Sequence, residues 1–221
     1  MLRSDLWHPR VCPETPNSKP SAARLWRQMP RENVDVVRAM GSSRLRRVTA
    51  RRRTVDDRLV VAAPRLYRLL VGASWLVVRR MSPTSRVRRA LLARLCVRTY
   101  GAFNRRDLPV FLGVFHPEIV YDMSHVAGWP EKQSYRGHSG LSEMANDWFA
   151  TWDFWFELEG VRDLGGNRCV VMADDRMTGT GSGVALESVL WTQVATVKHG
   201  LCVRVDNYTD RREALDAVGI V

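Results

Sequence analysis

Near residue 151 the apolar residues stop recurring every three or four positions and begin to alternate. Upstream, Val87, Leu91, Leu95, Thr99 and Phe103 share one helical face, with Leu92, Cys96 and Tyr100 beside them. After a turn at residues 104–107, residues 108–115 read as a short helix and residues 118–123 (EIVYDM) as a first strand. Leu141, Met144, Ala145, Trp148, Phe149 and Trp152 form another helical stripe, with Ser139 as its expected N-cap. Downstream, residues 154–161 (FWFELEGV) expose Glu157 and Glu159 between Phe156, Leu158 and Val161. Residues 168–178, 184–197 and 201–208 supply three more strands across glycine-rich turns. Asp210 with Glu213 three positions on predicts a capped last helix ending at Gly219. Helices followed by hairpin-linked strands predict an α+β domain, with helices on one face of a curved antiparallel sheet.

The charge is divided as sharply as the periodicity. Of the 221 residues, the first 90 hold 21 Arg or Lys and 6 Asp or Glu, net +15, while residues 91–221 hold 13 and 17, net −4. This predicts an Arg-rich extension over residues 1–83 and a globular domain over residues 84–221. Residues 1–30, broken by Pro9, Pro13, Pro16, Pro20 and Pro30, are expected to be disordered. Residues 31–40 (RENVDVVRAM) read as a short helix. Residues 64–80 read as another, entered at Pro64, with Leu66, Leu69, Leu70, Ala73 and Val77 on its apolar face. Only three basic residues are lysines, and the arginines of residues 44–53 lack interleaved aromatics or a DNA-binding motif. They read as a solvated tail, with neither specific nucleic acid nor membrane contact expected. No signal peptide is expected, and the longest apolar run, residues 69–78, is half the roughly 20 residues that span a bilayer, so it reads as a packing helix or an interfacial one. Cys12, Cys96, Cys169 and Cys202 form no C-x-x-C pair and read as reduced thiols of a cytoplasmic protein.

Several segments together carry a family likeness. Residues 100–108 (YGAFNRRDL), 116–123 (HPEIVYDM), 135–141 (YRGHSGL), 181–183 (GSG) and 208–219 (YTDRREALDAVG) resemble, in order and spacing, SnoaL-like domains of the nuclear-transport-factor-2-like superfamily. The resemblance covers about residues 84–221 and implies a cone-like α+β roll with a pocket between helices and sheet. Some 60 residues separate the helix at 31–40 from the AFNRRD turn, where such domains run directly from one to the other. The superfamily includes ketosteroid isomerases, polyketide cyclases, dehydratases and noncatalytic modules, so the fold leaves the activity open.

Enolising a ketone needs a base beside the acidic C–H and a donor facing the oxygen where charge develops. The resemblance to the isomerases puts Asp122 as base and Tyr100 as oxyanion donor, each after a one-residue shift from the ungapped positions Met123 and Thr99. The isomerases' second carboxyl falls near Thr192, so that partner is missing. Two placements of Asp122 are open, as a pocket base or on the solvent side of its strand. Trp129, Trp148 and Trp152 offer flat walls for an apolar or polycyclic small molecule, or are simply core. Thr192 and Asn207 are expected to contribute polar lining, and Asn207, in alternation with Leu201, Val203 and Val205, would need a partner or a ligand. Residues 137–141 (GHSGL) lack the second glycine of a hydrolase elbow, and residues 179–183 (GTGSG) lack the lysine of a phosphate loop. The histidines have no i, i+4 pairing, so neither metal nor cofactor is expected. The reading is a small-molecule-binding protein that moves a proton next to a carbonyl, or else a noncatalytic ligand-binding or dimerisation module. A homodimer is expected through an outer sheet face carrying Val189, Trp191 and Val197.

Overall fold

The computed structural model describes residues 52–127, 129, 132–181, 183 and 185–220. The tail, the helix expected at residues 31–40 and nearly all of the arginine run lie outside the described residues. In chain order the elements are α1 (Val55–Ala62), α2 (Pro64–Val78), α3 (Arg86–Asn104), α4 (Leu108–Leu112), β1 (Phe115–His125), β2 (Ser134–Arg136) and α5 (Gly137–Thr151). They continue with β3 (Trp152–Asp163), β4 (Arg168–Gly179), β5 (Ala185–Lys198), β6 (Leu201–Tyr208) and α6 (Arg211–Asp216).

The six strands form one sheet in the order β2-β1-β6-β5-β4-β3. From β3 to β6 each strand is antiparallel to the next, as their hairpin turns require, but β1 lies parallel to β6. The sheet is therefore mixed rather than wholly antiparallel. A tight turn forces strand reversal only between the strands it joins, and most of the domain intervenes between β1 and β6.

Alternation divides the sheet into two apolar layers. Its inner face packs against α3 and α5, with Phe103 of α3 at the centre of an aromatic cluster: its ring lies 4.9 Å from Phe111, 5.1 Å from Phe149 and Phe154, and 5.7 Å from Phe156. On the outer face, Val170, Met172, Val194 and Tyr208 are covered by Ala214 and Leu215 of α6. Val189, Trp191 and Val197 point inward and are buried. The apolar outer patch expected from them is not there, because β5 presents the opposite phase to the outside.

The AFNRRD turn has a physical role. The Asn104 side chain donates to the Phe156 carbonyl and accepts from the Phe156 amide, both at 2.9 Å, closing part of the free edge of β3. Arg106, at φ 56°, then ends α3 in the left-handed region.

The hairpin of α1 and α2 is docked on this body. Thr54 and Asp57 form a reciprocal capping box at the start of α1. The same Asp57, 1% exposed, receives Arg98 at 2.6 Å and Arg105 at 3.2 Å. Trp75 and Val78 pack with Leu92 and Val197. Gly200, at φ +76°, lies so close under α2 that an added Cβ would stand 2.8 Å from the Val71 carbonyl oxygen. At the end of α2, the buried Arg88 pairs with Asp163 and donates to the carbonyls of Val78, Arg79 and Met81 at 3.2, 3.3 and 3.4 Å, satisfying groups that a helix end leaves open. Arg88 thus ties the end of α2 to the start of α3 and to β3.

Candidate functional site

Between α3, α5 and the inner face of the sheet lies a cavity of about 90 Å³, several times the roughly 10–15 Å³ that one water needs. Successive turns of α3 present Leu92, Cys96, Thr99 and Phe103 to it, because these residues share the helix's inward stripe. Met144 and Trp148 of α5 close a second side. Val171 of β4, Trp191, Gln193, Ala195 and Val197 of β5, and Cys202 and Val205 of β6 form the floor.

Apart from the thiols, the polar side chains in the wall are Thr99, Tyr100, Tyr121 and Gln193. The Thr99 hydroxyl bonds back to the Leu95 carbonyl at 2.9 Å. The others form one network centred on Gln193. Tyr100 Oη donates to Gln193 Oε1 at 2.8 Å, and Gln193 Nε2 donates to Tyr121 Oη at 2.9 Å and to Asn207 Oδ1 at 2.7 Å. Asn207 Nδ2 in turn donates to the Asp122 backbone carbonyl at 2.7 Å. Burial pushes both phenols up, Tyr100 well above its ordinary range, so they stay protonated donors. Burial likewise pushes the Cys96 and Cys202 thiols up, and the Cys169 thiol up to about 12. Among the described residues no group of three or more His, Cys, Asp or Glu side chains is arranged to hold a metal ion.

Of the seven side chains expected at the site, Tyr100 and Trp148 line the cavity. Trp129 stacks on Trp148 with ring centres 5.4 Å apart, one layer behind the wall. Trp152 is half-buried at the start of β3, off the cavity. Asn207 stands behind Gln193, which is the partner its burial required. Thr192 is fully buried on the outer face, opposite Met172 and Tyr208 in the strand register. Asp122 is also on the outer side, because Tyr121 and Met123 take the inward phase of β1. Its carboxylate accepts from the Ser124 amide at 2.9 Å and from Arg204 at 3.2 Å. Partial burial raises the Asp122 carboxyl, but those hydrogen bonds and the Arg204 charge outweigh it and hold the group below its usual value. A pocket base raised toward neutrality is not what this position provides.

Sequence reasoning missed Gln193 and Asp175. Gln193 was visible as the one polar side chain in the alternation Val189, Trp191, Gln193, Ala195, Val197. Asp175, 0% exposed, lies on the inner face of β4 with Val171, Ala173 and Met177, between Phe156 of β3 and Val189 of β5. Burial, helped by neighbouring Asp174, pushes its carboxyl up to about 8 against the opposing pull of the Trp191 indole and nearby amides. Its charge would act on Tyr100 as well.

No family model matches the chain, and no curated protein matches it. Among solved structures it is similar to an NTF2-like protein of unknown function from Burkholderia pseudomallei, at 19% identity over 57% of this chain and 96% of that one, with a TM-score of 0.48. It is also similar to TerC co-crystallised with polyporic acid, at 17% identity, 57% and 96% coverage and a TM-score of 0.47. A third similar structure is a ketosteroid isomerase-like protein from Erwinia carotovora atroseptica, at 17% identity, 56% and 97% coverage and a TM-score of 0.44. The curved sheet, the helices α3 and α5 across its inner face and the cavity between them make residues 86–216 of this chain a cone-like α+β roll.

Proposed function

We propose that the chain binds a small, mostly apolar molecule carrying one hydrogen-bonding group, and holds it without a charged side chain. The observation that carries this reading is the cavity wall itself, in which no described residue is a carboxylate, imidazole, guanidinium or ammonium. Displacing water from such a wall favours an apolar ligand, and the Tyr100, Gln193 and Tyr121 cluster would orient its polar end. The indole N–H of Trp148 has no partner among the described residues, so a ligand acceptor would satisfy it as well. A volume of about 90 Å³ suits a single ring or a short chain, and a polycyclic ligand would have to move the walls.

Thermal unfolding of the full chain with single-ring phenols and aryl ketones tests this. A ligand that fits should raise Tm saturably and quench tryptophan emission, since Trp148 and Trp191 line the cavity. Gln193→Leu should weaken binding roughly ten-fold, the worth of one hydrogen bond, and Ala195→Leu should abolish it by filling the space. If Ala195→Leu binds as tightly as the parent, the cavity is not the site. A second reading, proton transfer at a bound carbonyl, would fall to Asp175 rather than Asp122, since Asp175 is buried on the inner face of β4 beside Phe156 of the cavity wall, and it requires that the carboxyl turn into the cavity to meet the ligand. It requires that Asp175→Asn keep ligand affinity while losing exchange of the ketone's α-protons.

A further inference from the structure

Helix α2 is apolar on two sides, and among the described residues only one of them is packed. Its inner side buries Tyr67, Trp75 and Val78 against the body. Opposite, Leu66, Leu69, Leu70, Leu76 and Val77 recur at helical spacing and are 49, 72, 50, 47 and 60% exposed. They share a stripe about a third of the helix's circumference wide. The apolar stripe read from the sequence is therefore largely the outward one. A soluble helix that is apolar all round is normally buried all round, so this stripe needs an occupant.

Charge selects among the occupants. Residues 58–106 contain 12 arginines and no Asp or Glu. Arg65, Arg68, Arg79 and Arg80, at the two ends of α2, are exposed, and none is in a salt bridge with a described residue. A second copy pairing through the same stripe would set these arginines against one another. Residues 1–50 hold 10 basic and 4 acidic residues, net +6, so on balance they add to the positive charge rather than neutralise it. An apolar stripe ended by unpaired arginines matches the interfacial layer of a bilayer, where alkyl side chains enter the acyl boundary and guanidinium groups meet lipid phosphates. The helix is 15 residues long, about 22 Å, and no described helix is long and apolar enough to cross a membrane, so the helix would lie in the surface plane.

We infer that α2 docks the protein on anionic lipid bilayers through Leu66, Leu69, Leu70, Leu76 and Val77, reversing the expectation from sequence that the extension avoids membranes. The inference stands apart from the ligand-binding reading, although the two meet in space. Leu92 and Val197, which receive the inner side of α2, also line the cavity.

The test is flotation of the full chain with phosphatidylcholine vesicles, with and without phosphatidylglycerol. Binding is expected only to the anionic vesicles and should weaken as salt is raised. The combined variant Leu66→Gln, Leu69→Gln, Leu70→Gln should keep the parent's circular dichroism and Tm, because these side chains are exposed, and should bind at least about a hundred-fold more weakly. Arg79→Gln with Arg80→Gln should lower binding by roughly five-fold per arginine. The inference is overturned if the leucine variant floats like the parent, which would assign binding to the basic residues 1–50. It is equally overturned if the chain ignores anionic vesicles, or if sedimentation shows a dimer that the leucine variant dissociates.

Discussion

Two buried carboxylates in two regions of this molecule meet opposite fates. Asp57, at the joint between the α1–α2 hairpin and the body, lies below its ordinary titration range. Burial raises it, but the Thr54 amide and the guanidinium groups of Arg98 and Arg105 more than reverse the effect. Asp175, inside the cone, is pushed up to about 8 because burial and Asp174 act on it and no arginine answers. At neutral pH the joint is ionic and the cone interior close to uncharged. Burial alone thus does not decide the state of a carboxylate, because what decides it is whether the fold brings a guanidinium to it. The joint depends on buried charge pairs, which are sensitive to loss of one partner, and the cone on aromatic packing around Phe103.

Removing one partner at the joint should give the largest effect. Asp57→Ala leaves Arg98 and Arg105 without their buried counter-ion and should cost about 3–5 kcal/mol in urea unfolding. The proton linkage has a definite sign. Because the folded Asp57 titrates below its unfolded value, its contribution is complete above about pH 4 and is lost as the pH falls through the folded value. The parent should therefore lose stability on acidification below about pH 4, and Asp57→Ala should lose less. A cost under about 1 kcal/mol would show that the joint is held by Trp75 and Val78 instead.

Asp175 should shift stability in the other direction. With a folded value of about 8 and an unfolded one near 3.9, the folded state carries the extra proton between those limits, so stability falls as the pH rises from about 4 through 8. The expected change is of the order of a few kcal/mol. Asp175→Asn should flatten that slope and leave the protein at least as stable as the parent at pH 8. If the parent's stability between pH 5 and 8 is already flat, Asp175 is ionised in the fold and the contrast with Asp57 disappears.

How much of this was legible beforehand follows from what a period can say. The change from helical to alternating spacing near residue 151 gave the α+β layering, and the ordered motifs around Asn104 and Asp210 gave the cone. An alternation of two separates the faces of a strand without saying which face is inner. In β4 both phases are apolar, Val170 and Met172 against Val171 and Ala173, because α6 covers the outside as α3 and α5 cover the inside. With both phases apolar, nothing in the spacing marked Asp175 as the inward carboxylate. In α2 the spacing showed the outward stripe and not the second apolar side of Tyr67, Trp75 and Val78 that packs on the body. Gln193 was legible in principle, as a lone polar residue among inward positions, but its role as hub depends on Tyr100, Tyr121 and Asn207, which come from three other elements.

The smallest expected effect is at Asp122, and it tests whether the inner and outer faces of β1 are assigned correctly. A base in the cavity would make Asp122→Asn cost roughly 10²- to 10⁴-fold in proton transfer. On the outer face the substitution removes one of two carboxylates around Arg204, whose other partner Asp206 sits at 2.6 Å and remains. Arg204 is about half exposed, so water screens what is lost and the cost should stay under about 1 kcal/mol. The Asp122 carboxyl is held low in the folded state, so even this small contribution exists only above about pH 4 and fades as the pH drops. The Asn207 bond to residue 122 uses the backbone carbonyl and survives the change, leaving the Gln193 network intact. Ligand affinity in Asp122→Asn should therefore match the parent within error, while Gln193→Leu falls about ten-fold. A ten-fold loss at Asp122 would mean that its carboxylate reaches the ligand, and the neutral wall proposed for the cavity would have to be redrawn.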